Sequence, residues 1–111
     1  MNGMVEVENE LFSLVEAVKH SATFKEYDRW RRILKADPDL FAKVNKYRAE
    51  NYRLQCLEDD GTLQDKIEKF AEENRELSEE PRVRAFLDAE VALCRMLQEI
   101  TLRVVRGIDF E

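Results

Sequence analysis

Glycine occurs three times and proline twice in 111 residues, too few to punctuate a fold of many short strands and turns. Three scattered glycines cannot build a phosphate-cradling loop, and the sequence holds no Walker-type, GxGxxG, HExxH or GxSxG pattern. One histidine, His20, and two isolated cysteines, Cys56 and Cys94, leave no CxxC pair. His20 lies four residues from Glu16, which is not the Glu-x-x-His spacing of a di-iron bundle. The expectation is a chain without catalytic residues, cofactor or metal. Its cysteines are expected to stay reduced and to fill small apolar sites, with a disulfide or a shared metal as the alternatives. No apolar run approaches the roughly 20 residues of a membrane span, because Glu16, Glu90, Arg95 and Glu99 interrupt the most hydrophobic stretches. Near the amino terminus, Glu6, Glu8 and Glu10 replace the basic-then-apolar order of an export signal. These absences predict a soluble, cytoplasmic protein that does not associate with a membrane.

What the chain has in quantity is charge. Charged residues make up 38% of it, and 24 acids against 18 Lys and Arg leave a net charge of -6. Nucleic acid and anionic lipid are therefore disfavoured partners unless charge is locally segregated. The length fits one small domain over residues 1–111 with a single core. The fold class predicted is all-α: four to five helices in a helical hairpin or open bundle with a long carboxy-terminal helix, completed by dimerisation.

The breakers Pro38, Gly61, Pro81 and Gly107 act as joints between segments of helical period. From residue 5 to about 21, Leu11, Leu14, Val15 and Val18 share one face of an amphipathic helix. Thr23 and Glu26 stand at capping-box spacing before a short aromatic-rich helix. Asp37-Pro38 puts a capping carboxylate before a first-turn proline and so starts a third helix, which runs to about residue 57. Asp59-Asp60-Gly61 then makes an interhelix loop, and Thr62 opens a weakly apolar fourth helix through about residue 77. Pro81 opens the last helix, and Gly107 closes it as a left-handed cap.

The last helix is the most informative. Stepped at about 100° per residue, its apolar positions over residues 83–108 cover an arc of roughly 240°, about twice what a surface helix needs. It must be covered from two sides, either by the rest of the monomer or by a second copy. The same stretch fits the alternating four-three steps of a coiled-coil seam. The leading expectation is self-association into a homodimer or higher oligomer through Val83, Phe86, Leu87, Glu90, Leu93, Cys94, Leu97, Ile100 and Val104. Glu90, inside that arc, reads as a register device facing an Arg or Tyr, as a solvated edge residue, or as part of a site.

One basic cluster contains an aromatic: Arg29, Trp30, Arg31, Arg32 and Lys35. It is compatible with phosphate contacts and base stacking, and equally with an ordinary solvated face in which Asp28 and Glu26 pair with the arginines. The second reading is preferred. The acidic segment 72–80 reads as solvent-facing, with docking of a basic partner as the alternative. A small helical enzyme acting on an anionic metabolite through clustered arginines remains a third, weaker reading.

The order of joints, with Leu34-Lys35-Ala36-Asp37-Pro38 and the proline-led tail running from Pro81 through Ala89-Glu90-Val91 to Ile100, resembles the YlbF/YmcA/YheA family of small bacterial proteins over almost the whole chain. The resemblance implies an all-helical, oligomeric, non-enzymatic regulatory adaptor. Two members of that family act with a third protein in control of competence, sporulation and biofilm formation, in a complex linked to RNase Y and to iron-sulfur clusters. By resemblance, the expected partners are RNase Y and paralogous YlbF-like chains. One member carries a cysteine-rich carboxy-terminal tail that this sequence lacks, which places the chain nearer the tail-less branch and sets cluster binding apart from it.

Overall fold

The computed structural model describes residues 3–109. A short 3-10 turn, Gly3–Glu6, precedes six helices: α1 (Glu8–Lys19), α2 (Ala22–Lys35), α3 (Pro38–Gln55), α4 (Leu63–Glu73), α5 (Arg75–Glu79) and α6 (Pro81–Gly107). No strand occurs among the described residues. The all-α reading with a long last helix is thus what the chain adopts. It has one helix more than expected, because the fourth segment breaks at Asn74. There the Asn74 side-chain amide donates to the Phe70 carbonyl at 2.9 Å, competing with the backbone ladder and ending α4.

The joints follow local hydrogen-bond chemistry. The Ser21 hydroxyl donates to the Val18 carbonyl at 2.6 Å and accepts the Phe24 amide at 3.1 Å, so one side chain closes α1 and opens α2. Ser21 rather than Thr23 is therefore the cap, because α2 begins at Ala22. Asp37 caps α3 as expected, its carboxylate accepting the Leu40 amide at 3.3 Å ahead of Pro38. Glu80 repeats the device: its carboxylate accepts the Val83 amide at 3.0 Å, two residues beyond Pro81. Thr62 makes no cap bond to α4; its hydroxyl turns back to Asp60 instead. In the loop before it, Gly61 has φ of 91° and its amide donates to Asp59 at 2.9 Å. Gly107 stays helical, and the left-handed residue after α6 is Asp109, at φ 58°.

The chain divides into two compact units, one formed by Met1–Trp30 with Leu87–Glu111 and the other by Arg31–Phe86. Met1, Asn2, Phe110 and Glu111 lie outside the described residues. The Arg31–Phe86 unit holds the core. Leu34, Val44, Val83 and Phe86 are fully buried and Leu54 nearly so. The helical stripe of α3 supplies Val44 and Leu54 from one face, and Tyr47 stacks on Phe70 of α4 with ring centroids 5.1 Å apart. The Arg48 guanidinium lies 5.2 Å from the centre of the Phe86 ring. In the unit formed by Met1–Trp30 and Leu87–Glu111, Ala89 is the one buried residue among those described.

A single arginine ties the two acid-proline starts together. Arg82 donates to Glu80 at 2.8 Å and reaches Asp37 at 3.4 Å, so the caps of α3 and α6 share one cation. Partial burial works to raise the Glu80 carboxyl, but the bonds from Arg82 and the Val83 amide outweigh it and hold the group below the ordinary carboxylate range. A carboxyl depressed in the folded state contributes stability above its unfolded pKa and loses it as pH falls through its folded value. Glu80→Gln is expected to lower stability at neutral pH by about 1 kcal/mol. The deficit relative to wild type should shrink between about pH 5 and pH 3. Urea titrations of both proteins across that range check it.

Candidate functional site

The unit formed by Met1–Trp30 and Leu87–Glu111 contains an apolar groove of about 300 Å3, lined by Leu14, Val15, Val18 and Lys19 of α1, Phe24 of α2, and Leu93, Leu97 and Ile100 of α6. Its walls follow from two helical stripes. Leu11, Leu14, Val15 and Val18 recur at three- and four-residue steps on α1, and Leu93, Leu97, Ile100 and Val104 do so on α6. In a helix that is packed on both sides such stripes are buried. Here Leu14, Val15 and Leu97 remain exposed, the last at 45%, and Val104 is 51% exposed. Exposed apolar residues also include Phe12 on α1, Val91, Leu102 and Val105 on α6 and Ile108 just after it, with Phe12 and Ile108 each 67% exposed. Exposed apolar side chains grouped in this way are a feature of interaction surfaces.

The residues expected at a self-association face therefore separate. Leu97, Cys94 and Val104 are exposed, and Leu87, Glu90, Leu93 and Ile100 are half-buried. Val83 and Phe86 have no exposed surface. For these two the expectation is corrected: the first turns of α6 are covered by the Arg31–Phe86 unit's own core, so they have nothing left to offer a second copy. The wide apolar arc is thus satisfied within the chain at its start and left open from about residue 91 onward. Both cysteines are exposed, also against expectation, since Cys56 follows the end of α3 and Cys94 lies on a flank of α6 that nothing covers.

The basic cluster on α2 shows a different arrangement. The Trp30 indole donates to Glu26 at 2.7 Å, and the Arg29 guanidinium lies 5.0 Å from the Trp30 ring centre and 3.7 Å from Glu26. The aromatic face is occupied by its own helix. At 100° per residue, Arg31, Lys35, Arg32 and Arg29 fall within an arc of about 160° on α2, with Asp28 among them. Arg29, Arg32 and Lys35 are exposed, whereas Arg31 is half-buried with its Nε removed from solvent.

A second concavity was not anticipated from the sequence. In the Arg31–Phe86 unit, α3, α4 and α5 border a cleft of about 900 Å3. Tyr47 and Phe70 line its apolar part, with Lys43, Lys46, Lys66 and Lys69 set against Glu50, Glu73, Glu76 and Glu80. The Glu50 carboxyl is held below its usual range by its hydrogen bond from Arg53, and Lys69 reaches Glu73 at 3.8 Å. The pairing of α3 with α4 that forms the cleft joins segments no helical spacing connects. Arg53 lines the cleft as well, and Lys66 reaches Asp60 at 4.0 Å. No group of three or more His, Cys, Asp or Glu side chains converges as a metal site among the described residues.

The geometry thus concentrates on an uncovered apolar face made by α1 and α6. A family model described as control of competence regulator ComK, YlbF/YmcA, matches residues 7–109. The chain belongs to the YlbF/YmcA family. No curated protein and no solved structure gives a significant match. The YlbF/YmcA match includes α1 and α6, whose apolar surface is open, as well as the Arg31–Phe86 unit that holds the core. In this YlbF/YmcA chain no helix among the described residues is long and apolar enough to cross a membrane. With Trp30 engaged and a net charge of -6, a fluorescence anisotropy titration with single-stranded RNA at low salt is expected to show no binding. Arg31→Glu with Arg32→Glu should leave that result unchanged.

Proposed function

We propose that this YlbF/YmcA protein is a non-enzymatic regulatory adaptor that self-associates through the α1 and α6 face and works by holding other proteins. The observation that carries the reading is the exposure of the groove-forming residues Leu14, Val15 and Leu97 together with Val104. A standard interface covers roughly 800 Å2 on each partner, and the exposed large apolar side chains of α1 and α6 mark where such a contact would form.

The family description, control of the competence regulator ComK, supports a regulatory role exerted through proteins. Paralogous YlbF-like chains and RNase Y are the partners proposed for it, with competence, sporulation and biofilm formation as the processes under control. A cytoplasmic setting agrees with partners of this kind. No residue is assigned a catalytic part in this reading.

Light scattering at micromolar concentration is expected to give a mass above one chain of 13.1 kDa. Leu97→Asp, which puts a charge on the open face, should return it to that value without loss of helical circular dichroism. For the adaptor role, the tagged protein is recovered from its native cytoplasm under anaerobic conditions and read by quantitative mass spectrometry against an untagged control. Enrichment of sister YlbF-like chains or of RNase Y is expected, and recovery of the protein alone would remove the adaptor role.

A further inference from the structure

The cleft of the Arg31–Phe86 unit has an order along its length. Its apolar lining is Leu40, Tyr47 and Leu54 on the α3 wall, with Phe70 and Leu77 on the facing wall, and on each wall these residues stand seven positions apart. A seven-residue recurrence keeps to one line along a helix. The cleft therefore follows α3 from Leu40 to Leu54, about 21 Å at 1.5 Å per residue. The facing wall runs the other way: Tyr47 stacks on Phe70 midway, and Arg82 joins Asp37 at the start of α3 to Glu80 just beyond α5. Leu54 is buried, but Leu40, Tyr47, Phe70 and Leu77 are only half-buried. Most of the charges along the cleft are engaged. Glu50 holds Arg53 at 2.6 Å, Lys69 meets Glu73 at 3.8 Å, Arg82 binds Glu80, and Lys66 reaches Asp60. Lys43, Lys46 and Glu76 are exposed and make no ion pair among the described residues, although Lys46 acts on Glu50 at longer range. The α3 wall thus offers two lysines, and the α5 wall one glutamate.

We infer that this cleft holds an amphipathic α-helix of a partner protein. Its apolar stripe lies on Leu40, Tyr47, Phe70 and Leu77, its acidic edge meets Lys43 and Lys46, and a basic side chain on its other edge meets Glu76. The inference rests on the adaptor reading and gives it a contact separate from the α1 and α6 face. An extended peptide is a poor occupant, because both walls are helices whose backbone groups pair within themselves, and no sheet edge is open to receive a strand. A helix arrives with its own backbone satisfied and meets the walls through side chains alone. It also presents apolar side chains at three- and four-residue steps, which add to the seven-residue recurrence of the walls. The free charges set its edges: a uniformly basic helix is repelled by Lys43 and Lys46, and a uniformly acidic one by Glu76.

The probe is a fluorescein-labelled synthetic helix with Leu along its apolar stripe, Glu on one edge and Lys on the other, titrated by anisotropy with the full chain at low salt. Binding is expected that a scrambled peptide of the same composition lacks. Lys43→Glu with Lys46→Glu should weaken it at least about tenfold, with unchanged circular dichroism. A peptide carrying Lys in place of its edge Glu should bind that variant better than it binds wild type. Leu97→Asp, on the open face, should leave the affinity unchanged. Binding indifferent to the lysine reversal, binding lost with Leu97→Asp, or no binding beyond the scrambled control overturns the inference. Anaerobic recovery of partners reads the adaptor role separately. Partners recovered alike by wild type and by the lysine variant overturn the cleft as the contact and leave the adaptor role standing. Specific peptide binding with no partner recovered supports the cleft and overturns the adaptor role.

Discussion

The constraint on which the structure turns is that apolar surface must be covered, and this chain covers it in only one of its two units. Leu34, Val44, Leu54, Val83 and Phe86 satisfy the rule in the Arg31–Phe86 unit. In the other unit Ala89 is the one buried residue among those described, although α1 and α6 carry long apolar stripes there. Isolated helices of this length draw little stability from propensity alone and depend on packing of an amphipathic face. The α1 and α6 face is therefore both the least satisfied part of the molecule and the part best suited to holding another chain. Interaction and stability are the same physical problem here.

Much of the fold is legible in the amino-acid order because breakers are scarce and each falls at a joint. Asp37-Pro38 starts α3 and Pro81 starts α6 where the pattern places them. Asn74 escapes that reading, since its effect depends on a side-chain bond to Phe70 rather than on a missing amide. Glu80 escaped as a cap although it stands before proline just as Asp37 does, because Glu is seldom chosen over Asp at that position. Local chemistry of this kind is written in short stretches, and short stretches are what a sequence displays.

The site was legible in part, for a different reason. Periodicity shows that α6 is apolar over too wide an arc, but not which turns the chain itself will cover. That depends on contacts between distant segments: Val83 and Phe86 are absorbed into the core with Leu34 and Val44, whereas Leu97 and Val104 are left open. The cleft bordered by α3 and α4 was hidden for the same reason, since the Tyr47–Phe70 stack joins residues that no helical spacing connects. Trp30 shows the converse. Its partner Glu26 is only one turn away, yet the sequence places Glu26 with the arginines, because one carboxylate has several neighbours at helical spacing.

The bridge from Arg82 to Asp37 spans 45 positions of the chain and pins the two ends of the segment carrying α3, α4 and α5. Once those ends are held, lengthening the connection around Gly61 adds only loop-closure entropy, about 0.6 kcal/mol for each doubling of the loop. Gly61 has open space around it and the neighbouring loop residues are exposed. Insertions there leave the clamp and the core beneath it in place. The connection between α3 and α4 is thus where a chain of this design can change length and surface character at small cost, while the α1 and α6 face keeps its spacing.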